Sequence, residues 1–323
     1  MTDIRQTLEY ANYLKSNGWT VERIDEINYF IKKLPLLGSI LKLQRPKEID
    51  FKITEKLSKK YGVFQTIIES GLALGISSKK GNPTSFRTSK DDPARAWSFT
   101  KNNPTPTGTL ALHNHKLMLS NGFKLSRNPY LPTKTLQIDL AQKKEQIYSK
   151  FSKDCKYSIR KGSGLIIKEY STPEEINKFR IAWKKSINFK RFVPSVKQLI
   201  NLKKCFPNSY STFLASHNNL GSIIGGAIFT RSTKDFSYYW QAFTNNEGRT
   251  SLSQYSLLYQ GILWAKKQDC KVFDFEGIYD SRFPNNNWLG FTHFKKSFGG
   301  NEILYSGCYS KLNLLSLFSL TKH

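Results

Sequence analysis

The chain alternates between stretches whose apolar residues recur every three or four positions and stretches whose apolar residues alternate with polar ones or form short runs. The first pattern is typical of helices that bury one face, and the second is typical of strands. Helices are predicted at 7–19, 50–62, 113–123, 141–164, 172–189 and 252–270. The helix at 172–189 should begin with a capping box, in which Thr172 is the N-cap, Pro173 the first residue and Glu175 the third. Strands are predicted at 19–24, 28–35, 63–70, 132–140, 165–171, 210–216, 221–231, 235–244, 271–278 and 301–310.

The order of these elements starts again near the middle of the chain. Each half begins with a helix, continues through a strand and a second helix, and ends in strands, which predicts an α/β protein of mixed α+β type. We expect an N-terminal subdomain at 1–135, a longer C-terminal subdomain at 136–310 and a C-terminal tail at 311–323. Residues 77–110 are rich in Ser, Lys, Asn and Pro, which predicts a flexible surface insertion in the first subdomain.

Charge is the strongest compositional signal. The 323 residues are 39% hydrophobic and 14% aromatic, which is typical of a folded globular protein, but 50 Lys and Arg face only 24 Asp and Glu, for a net charge of +26. Such a field concentrates polyanions, namely nucleic acid, anionic lipid headgroups or a substrate with a pyrophosphate. The alternative is a generally basic surface that serves solubility.

The N-terminus has no apolar signal-peptide core, and no run of about 18 apolar residues predicts a membrane-spanning helix. We therefore expect a cytoplasmic protein with free thiols on its four scattered cysteines. The apolar segment 312–320 is expected to pack on the body, with contact at the inner membrane surface as the alternative.

Metal chemistry has little support in the sequence. The cysteines and histidines lack zinc-ligand spacing, and the two histidines of "HNH" at 113–115 diverge on a helix. The other residues of a nuclease motif are missing, so we expect no metal site.

Residues 273–300 place charges among aromatic side chains. In the strand "FDFEGI", Asp274 and Glu276 alternate with Phe273 and Phe275, so the acids should share one face and the rings the other. A lysine pair then stands between Phe294 and Phe298 in "FKKSFGG". The alternation predicts rings in the core and acids at an accessible face.

An ordered set of motifs carries a family resemblance. It comprises "IDL" (138–140), "KYSIRKGSGLIIKEY" (156–170), "SYYWQAF" (237–243), "FDFEGI" (273–278) and "GFTHFKKSFGG" (290–300). In this order the motifs resemble the FemABX family of peptidoglycan-bridge aminoacyltransferases, relatives of the GNAT acyltransferases. Two positions depart from the family pattern: Gly162 stands where Ala is usual, and Glu276 stands where Gly is usual.

The resemblance implies two tandem GNAT-like subdomains that face a shared cleft. It also implies transfer of an amino acid from aminoacyl-tRNA to an amine on the stem peptide of a nucleotide- or lipid-linked peptidoglycan precursor, with no cofactor and no metal. Such transfer needs a group that stabilises the developing oxyanion and a route for the proton of the amine.

Lys295 follows Phe294 at the family's lysine position, so the resemblance implies a catalytic role for it. The alternative is a surface lysine whose stem covers an aromatic patch. Asp274 matches the family's aspartate and is the second catalytic candidate, as an acid that binds the ammonium or relays its proton, or else as a structural group. Glu276 has no counterpart in the family, and no role is assigned to it.

The remaining candidates are substrate-binding residues. Phe294 and Phe298 would flank the lysine, and Tyr238 and Tyr239 could line the cleft, although neighbours on a strand face opposite ways, so one of the two tyrosines belongs to the core. The basic candidates for phosphate or tRNA are Lys156, Arg160 and Arg191. For the first two, which share one helix face, the alternative is a solvated basic surface.

The segment "NEGRTSLSQ" (246–254) precedes the long helix where a GNAT enzyme places its glycine-rich pyrophosphate loop, and that loop pattern is absent. This argues against coenzyme A as the acyl carrier. Two alternatives stay open. One is a GNAT-like N-acyltransferase that acts on another amine, a sugar or a lipid-linked substrate, and the other is an RNA-binding protein without enzymatic activity.

Overall fold

A computed structural model describes residues 2–77, 97–100, 103–106, 109–187, 192–232 and 235–313. Most of the predicted insertion at 77–110 therefore lies outside the described residues. The part of this segment that the structure does describe includes two short strands, Trp97–Thr100 and Asn103–Pro106, which pair with each other in antiparallel orientation. The tail is described only as far as Asn313, so the predictions for 314–323 also lie outside.

Six of the helices begin after a polar residue whose side chain accepts one of their first free backbone N–H groups. In the predicted capping box at Thr172, the Thr172 hydroxyl accepts a hydrogen bond from the Glu175 N–H. The Glu175 carboxylate in turn accepts one from the Thr172 N–H. The α-helices in the described residues are α1 (Leu8–Ser16), α2 (Phe51–Lys60), α3 (Thr109–Ser120), α4 (Lys144–Ser149), α5 (Lys153–Lys161), α6 (Pro173–Ser186), α7 (Val196–Cys205), α8 (Asn246–Thr250), α9 (Ser253–Lys267) and α10 (Leu289–Lys296).

The strands coincide with the alternating and β-branched stretches of the sequence. Those in the described residues are β1 (Thr20–Ile24), β2 (Ile27–Leu34), β3 (Gly38–Gln44), β4 (Val63–Glu69), β5 (Ala73–Ser77), β6 (Trp97–Thr100), β7 (Asn103–Pro106), β8 (Lys124–Leu125), β9 (Lys134–Asp139), β10 (Ile166–Glu169), β11 (Ser211–His217), β12 (Ile223–Ser232), β13 (Phe236–Thr244), β14 (Val272–Gly277), β15 (Asn301–Tyr305) and β16 (Cys308–Leu312).

The chain forms two compact units, and neither is continuous in sequence. The N unit comprises the described residues of Arg5–Leu136, Gly277–Thr292 and Asn301–His323, and the C unit comprises those of Met1–Ile4, Gln137–Glu276 and His293–Gly300. The mixed α+β class is confirmed, since both units combine sheets with helices. The contiguous subdomain limits expected from the sequence stay a prediction.

The N unit contains a six-stranded sheet in the order β1-β2-β3-β4-β16-β8. All neighbours for which a register is known are antiparallel except β3 and β4, which run parallel. Its core includes Tyr29, Leu41, Ile68 and Tyr309, which are fully buried. The histidine of the "HNH" segment at position 115 shares a hydrogen bond with the Tyr309 hydroxyl, at 2.9 Å, in this core.

The C unit contains the neighbouring strands β10-β11-β12-β13-β14. The first four are antiparallel to one another, and β13 and β14 run parallel. Helix α9 packs on β11, β12 and β13, and α6 packs on β12 and β13. Phe179, Phe213 and Phe273 are among the fully buried side chains that hold this layer of helices on the sheet.

Several elements differ from the sequence prediction. β3, β5, β8, α7 and α8 were not among the predicted segments. The helix expected at 141–164 is two helices, because the Ser152 hydroxyl accepts the Cys155 N–H and starts α5 anew. The segment expected to follow the 271–278 strand without a helix contains α10. The last strand is divided into β15 and β16. Among the described residues no helix is both long and apolar enough to cross a membrane.

Candidate active site

Two parallel strands of the C unit pair over only part of their length. β13 and β14 are in register only over Phe236–Val272, Ser237–Phe273 and Tyr238–Asp274, although β13 continues to Thr244 and β14 to Gly277. Ligands of open α/β sheets bind beyond the carboxyl ends of the strands, where neighbouring chains diverge. Some of the candidate side chains of the sequence analysis lie near this point, namely Lys295, Asp274, Tyr239, Phe294 and Phe298.

Lys295 lies beside Tyr239, the first residue of β13 beyond this pairing, and is buried. Only 8% of its surface is exposed, whereas the next residue on α10, Lys296, is exposed. The Lys295 Nζ lies 5.8 Å from the centroid of the Tyr239 ring. Burial lowers the pKa of Lys295 to about 8, while the charges of Glu276 and Asp274 act in the opposite direction. The sequence offered two adjacent lysines, and the structure distinguishes them by burial.

An aromatic cluster supports the helix that carries Lys295. Phe298 is 1% exposed, and its ring lies 5.6 Å from Phe294, 5.8 Å from Phe275 and 5.8 Å from Tyr255. Phe294 also meets Tyr255 edge to face at 4.8 Å. Such contacts fix the position of the helix and exclude water, which strengthens the field of a nearby charge.

The two glycines after α10 are required by geometry. Gly299 and Gly300 have φ values of 73° and 99°, which side chains rarely tolerate. A Cβ on Gly300 would also lie 2.6 Å from the carbonyl oxygen of Gln137. The "FGG" sequence therefore ends the helix abruptly and holds Lys295 at its last turn.

Asp274 is 5% exposed, and both its carboxylate oxygens accept hydrogen bonds. The Glu276 N–H donates to Oδ1 at 2.7 Å, and the Gln137 side-chain amide donates to Oδ2 at 2.8 Å. Phe273 and Phe275 are fully buried, as the alternation of the strand predicted. Asp274 was expected at an accessible face, but it is buried as well. This burial is possible because both carboxylate oxygens accept hydrogen bonds inside the C unit.

Glu276 breaks the alternation of β14. Its φ is 59°, in the left-handed region, where a residue other than glycine costs roughly 1–2 kcal/mol. The side chain is half-buried, and its charge acts on Lys295 more strongly than that of Asp274. Glu276, which stands where the family pattern has glycine, therefore lies at the site and has a backbone conformation that would suit glycine.

The two tyrosines of β13 separate as their neighbouring positions predicted. Tyr238 is 2% exposed, and its hydroxyl accepts the Ile4 N–H at 3.2 Å. Tyr239 faces Lys295, and its hydroxyl donates to the Gln254 side chain at 3.0 Å. Tyr239 is therefore the tyrosine beside the lysine, and Tyr238 belongs to the core.

The basic candidates do not join Lys295 in this geometry. The Lys156 ammonium donates to the Ser149 carbonyl at 2.7 Å, across the junction of α4 and α5, and Arg160 is exposed on α5. Arg191 lies outside the described residues. Their roles in binding phosphate or tRNA stay predictions.

The segment before α9 is not an open phosphate loop. Residues 246–250 form the short helix α8, whose first turn is capped by the Asn245 side chain on the Gly248 N–H at 2.8 Å. Leu252, with φ of 58°, then separates α8 from α9. Among the described residues, no group of three or more His, Cys, Asp or Glu side chains could hold a metal ion.

The other departure from the family pattern, Gly162, has a steric cause. A Cβ at this position would lie 2.3 Å from the Ser256 hydroxyl oxygen on α9. The glycine allows the end of α5 to approach α9 closely. Gly162 is therefore matched to Ser256 and is not a feature of the site at Lys295.

Sequence reasoning missed three residues that complete the site: Tyr255 in the aromatic cluster, Gln254 under Tyr239 and Gln137 on Asp274. Gln254 and Tyr255 gave a weak signal, since they form a polar–aromatic pair at the start of a predicted helix. Gln137 gave none, because it is 137 residues away from its partner in sequence.

No protein-family model matches the sequence, and no curated protein matches it. Among solved structures, the chain is similar to FemX, with a TM-score of 0.71 and 14% identity over 99% of this chain and 95% of that one. It is also similar to the C-terminal domain of a putative lysylphosphatidylglycerol synthetase from Agrobacterium fabrum, with a TM-score of 0.56 and 11% identity over 98% and 92%.

A third similar structure is L-PGS from Bacillus licheniformis, with a TM-score of 0.57 and 9% identity over 96% of this chain and 90% of that one. At such identities the likeness concerns the fold. The chain therefore shares its fold with FemX, as the resemblance of its motifs implied.

Proposed function

We propose that this protein is an acyltransferase that moves an amino acid from aminoacyl-tRNA to an amine on the stem peptide of a peptidoglycan precursor. The observation that carries the proposal is Lys295: a lysine that is 8% exposed, beside an aromatic cluster, where two parallel strands separate. A buried cation in such a place is costly to keep, and perturbed groups of this kind cluster at functional sites.

The chemistry assigns a role to the cation. A neutral amine attacks the ester carbonyl of the donor, and negative charge develops on the carbonyl oxygen. The Lys295 ammonium stabilises that oxyanion, and because its pKa is about 8 it is mostly protonated at pH 7. The ring of Tyr239 and the cluster around Phe294 and Phe298 keep water away, so the charge acts at low screening.

The donor is inferred from two features. A net charge of +26 attracts a polyanion such as tRNA. The segment before α9 is a capped helix rather than a glycine-rich loop, which disfavours the pyrophosphate of coenzyme A. Lys156, Arg160 and Arg191 are the residues we propose for contact with the phosphates of either substrate.

The acceptor is inferred from the likeness to FemX and from the order of motifs around Lys295. The similar structure of a putative lysylphosphatidylglycerol synthetase supports a second candidate, transfer of the amino acid to a lipid such as phosphatidylglycerol. Both candidates use the same donor and the same oxyanion chemistry, and they differ in the nucleophile.

The test supplies purified protein with a mixture of aminoacyl-tRNAs and one of three acceptors: a nucleotide-linked muropeptide precursor, its lipid-linked form, or phosphatidylglycerol vesicles. Products are followed by mass. We expect one amino acid to be added to the stem peptide. Addition to phosphatidylglycerol alone would replace the proposal by the second candidate.

Two matched variants make the test specific. Lys295→Met should reduce transfer by about 10²–10³-fold, the range seen when one oxyanion donor is removed. Lys296→Met removes the same charge from the next residue of the same helix, which is exposed, and should retain activity. Transfer by neither wild type nor variant, with tRNA binding intact, would favour the RNA-binding alternative.

A further inference from the structure

We propose that one edge of the N-unit sheet docks on the surface of an anionic lipid bilayer, with the leucines of the β2–β3 hairpin inserted among the lipids. The inference goes beyond the proposed function, because it concerns a surface that the reaction at Lys295 does not use. It is based on the exposure of three leucines, the register of the sheet and the charges of the segments around them.

The tip of the β2–β3 hairpin exposes two consecutive leucines. Leu36 is 99% exposed and Leu37 is 50% exposed. Leu36 also has a φ of 63°, in the left-handed region that favours glycine. Neither packing inside the unit nor the backbone conformation therefore accounts for a leucine at this position. Contiguous exposed apolar side chains, unlike scattered ones, mark a contact with another molecule or with a membrane.

The sheet brings a third exposed leucine to the same edge. β2 ends at Leu34, which pairs with Gly38 at the start of β3, and β4 begins at this end too, because it runs parallel to β3 from Val63. β16 is antiparallel to β4 and pairs its last residue, Leu312, with Gln65. Neighbouring strands lie about 5 Å apart, so Leu312 is roughly 10 Å from β3. Leu312 is 60% exposed, and the apolar surface therefore extends along the edge.

The same edge is basic. The described segments that reach it are 15–20, 32–38, 59–63, 120–123 and 312–313. Together they contain five lysines and no acidic residue. Two acids from outside these segments pair with two of the lysines, Glu55 with Lys59 at 2.9 Å and Glu22 with Lys60 at 2.7 Å. The five lysines less the two paired ones leave three positive charges, and Lys33, beside the leucine tip, is exposed.

An anionic bilayer matches both properties of the edge. Leucine side chains enter the boundary between headgroups and acyl chains, while the lysines beside them bind anionic headgroups. A second copy of this chain would bring lysines against lysines in a twofold-symmetric contact. The apolar sequence "LLSLFSL" (314–320), which follows Asn313, would cover the leucines but has no acid to pair with the lysines. RNA would pair with the lysines and leave the leucines in water.

The test measures co-sedimentation of the full chain with lipid vesicles, in the absence of tRNA. The vesicles are phosphatidylcholine alone, or phosphatidylcholine mixed with the same fraction of either phosphatidylserine or phosphatidylglycerol. We expect binding to both anionic mixtures to be at least about tenfold stronger than binding to phosphatidylcholine, and to weaken at high salt. Phosphatidylserine is included because neither candidate function uses it as an acceptor. Binding to phosphatidylglycerol alone would indicate recognition of an acceptor lipid and would overturn the docking surface.

Matched variants locate the contact on the chain. Leu36→Ser combined with Leu37→Ser should weaken vesicle binding by at least about tenfold and leave the melting temperature unchanged, because both side chains are exposed. Leu220→Ser is the control, since Leu220 is 90% exposed between β11 and β12 of the C unit, and it should bind as the wild type does. Lys33→Gln should weaken binding to anionic vesicles by about fivefold, whereas Lys178→Gln, at an exposed lysine of α6, should not.

The remaining outcomes separate the bilayer from the other occupants and from the proposed function. If Leu317→Ser with Phe318→Ser abolishes binding and the hairpin variant does not, the apolar tail makes the contact and the proposal is overturned. Equal binding by the wild type and the hairpin variant overturns it as well, and loss of a dimer by that variant in size-exclusion chromatography would assign the leucines to a second copy. Lys295→Met should bind vesicles as the wild type does, so a failure of the proposed function leaves the docking surface intact.

Discussion

Two buried cations, one in each unit, are close in exposure and differ in their partners. Arg282 in the N unit is 5% exposed, and Lys295 in the C unit is 8% exposed. Arg282 donates to both oxygens of Asp280, at 2.7–3.1 Å, and to the carbonyl oxygens of Thr133 and Tyr305, at 2.8 and 3.0 Å. Lys295 is instead placed beside an aromatic ring, with two carboxylates acting on it by charge.

The pKa values reflect this difference. Burial alone would raise the pKa of Asp280, but the hydrogen bonds and charge of Arg282 outweigh burial and lower it. For Lys295, burial dominates and lowers the pKa to about 8 despite Glu276 and Asp274. The Arg282 guanidinium therefore compensates a buried carboxylate, and its loss should harm the fold, whereas the lowered pKa of Lys295 is typical of a group at a functional site.

Replacement of Arg282 should give the largest effect. Arg282→Met leaves the Asp280 carboxylate buried beside the carbonyls of Thr133 and Tyr305, without its cation. We expect the free energy of unfolding to fall by about 3–5 kcal/mol, as in other buried pairs that lose one partner. Urea denaturation measures this, and a loss below about 1 kcal/mol would contradict the structural role.

A double variant serves as the control for that prediction. Arg282→Met combined with Asp280→Asn removes the uncompensated charge, so part of the lost stability should return. If the double variant is as unstable as the sum of the two single variants, the two residues are not coupled, and the comparison with Lys295 loses its basis.

Lys295→Met should show the opposite pattern from Arg282→Met. Transfer activity should fall by about 10²–10³-fold. The free energy of unfolding at pH 7 should fall by less than in Arg282→Met, because the costly burial of the ammonium is relieved and the Asp274 carboxylate keeps its two hydrogen bonds. Activity and denaturation are measured on the same preparation. A destabilisation as large as that of Arg282→Met would place Lys295 among the structural cations.

The sequence predicted one of these two cations and not the other, for a physical reason. Lys295 was predicted because it stands in a local motif, "FKKSFGG", whose rings and glycines are contiguous with it. Arg282 lies in a stretch that reads as a loop, and its burial depends on the carbonyl of Thr133, 149 positions away, and of Tyr305, 23 positions away. Partners so distant leave no trace in a local pattern.

The same distinction applies to the fold. The capping box at Thr172 and the strand at 271–278 were predicted because propensity and hydrophobic period are local properties. Helix α10 was missed, since its eight residues include Gly290 and follow an Asn-rich stretch. The left-handed backbone at Glu276 could not be predicted, because residues other than glycine rarely adopt it.

The pH dependence of stability tests whether Lys295 is truly desolvated. Its folded pKa of about 8 lies below the ordinary lysine value of 10.5, so between these pH values the unfolded chain binds more protons than the folded one. Stability from this group therefore rises with pH across that window, by about 3 kcal/mol in total. Transfer should fall over the same window, because the cation is lost.

The control for this prediction is Lys295→Met, measured at each pH. Burial also raises the pKa of the thiols of Cys155 and Cys308 to about 12, which lowers stability at high pH in both proteins. The difference between wild type and variant removes these contributions. A difference that does not change between pH 8 and 10.5 would show that Lys295 is solvated in solution.

Tyr239→Phe should give the smallest effect and show which part of the tyrosine serves the site. The ring beside Lys295 remains, and only the hydroxyl that donates to Gln254 at 3.0 Å is removed. Loss of one neutral hydrogen bond costs about 0.5–1.5 kcal/mol of stability. Transfer should fall by less than about tenfold, the equivalent of 1.4 kcal/mol.

Tyr239→Leu removes the ring as well, so water then reaches Lys295. The pKa of Lys295 should return toward 10.5, and the alkaline loss of activity should move to higher pH. If the two Tyr239 variants have the same pH profile, the ring does not shield Lys295, and burial of the lysine by the rest of the C unit accounts for its pKa.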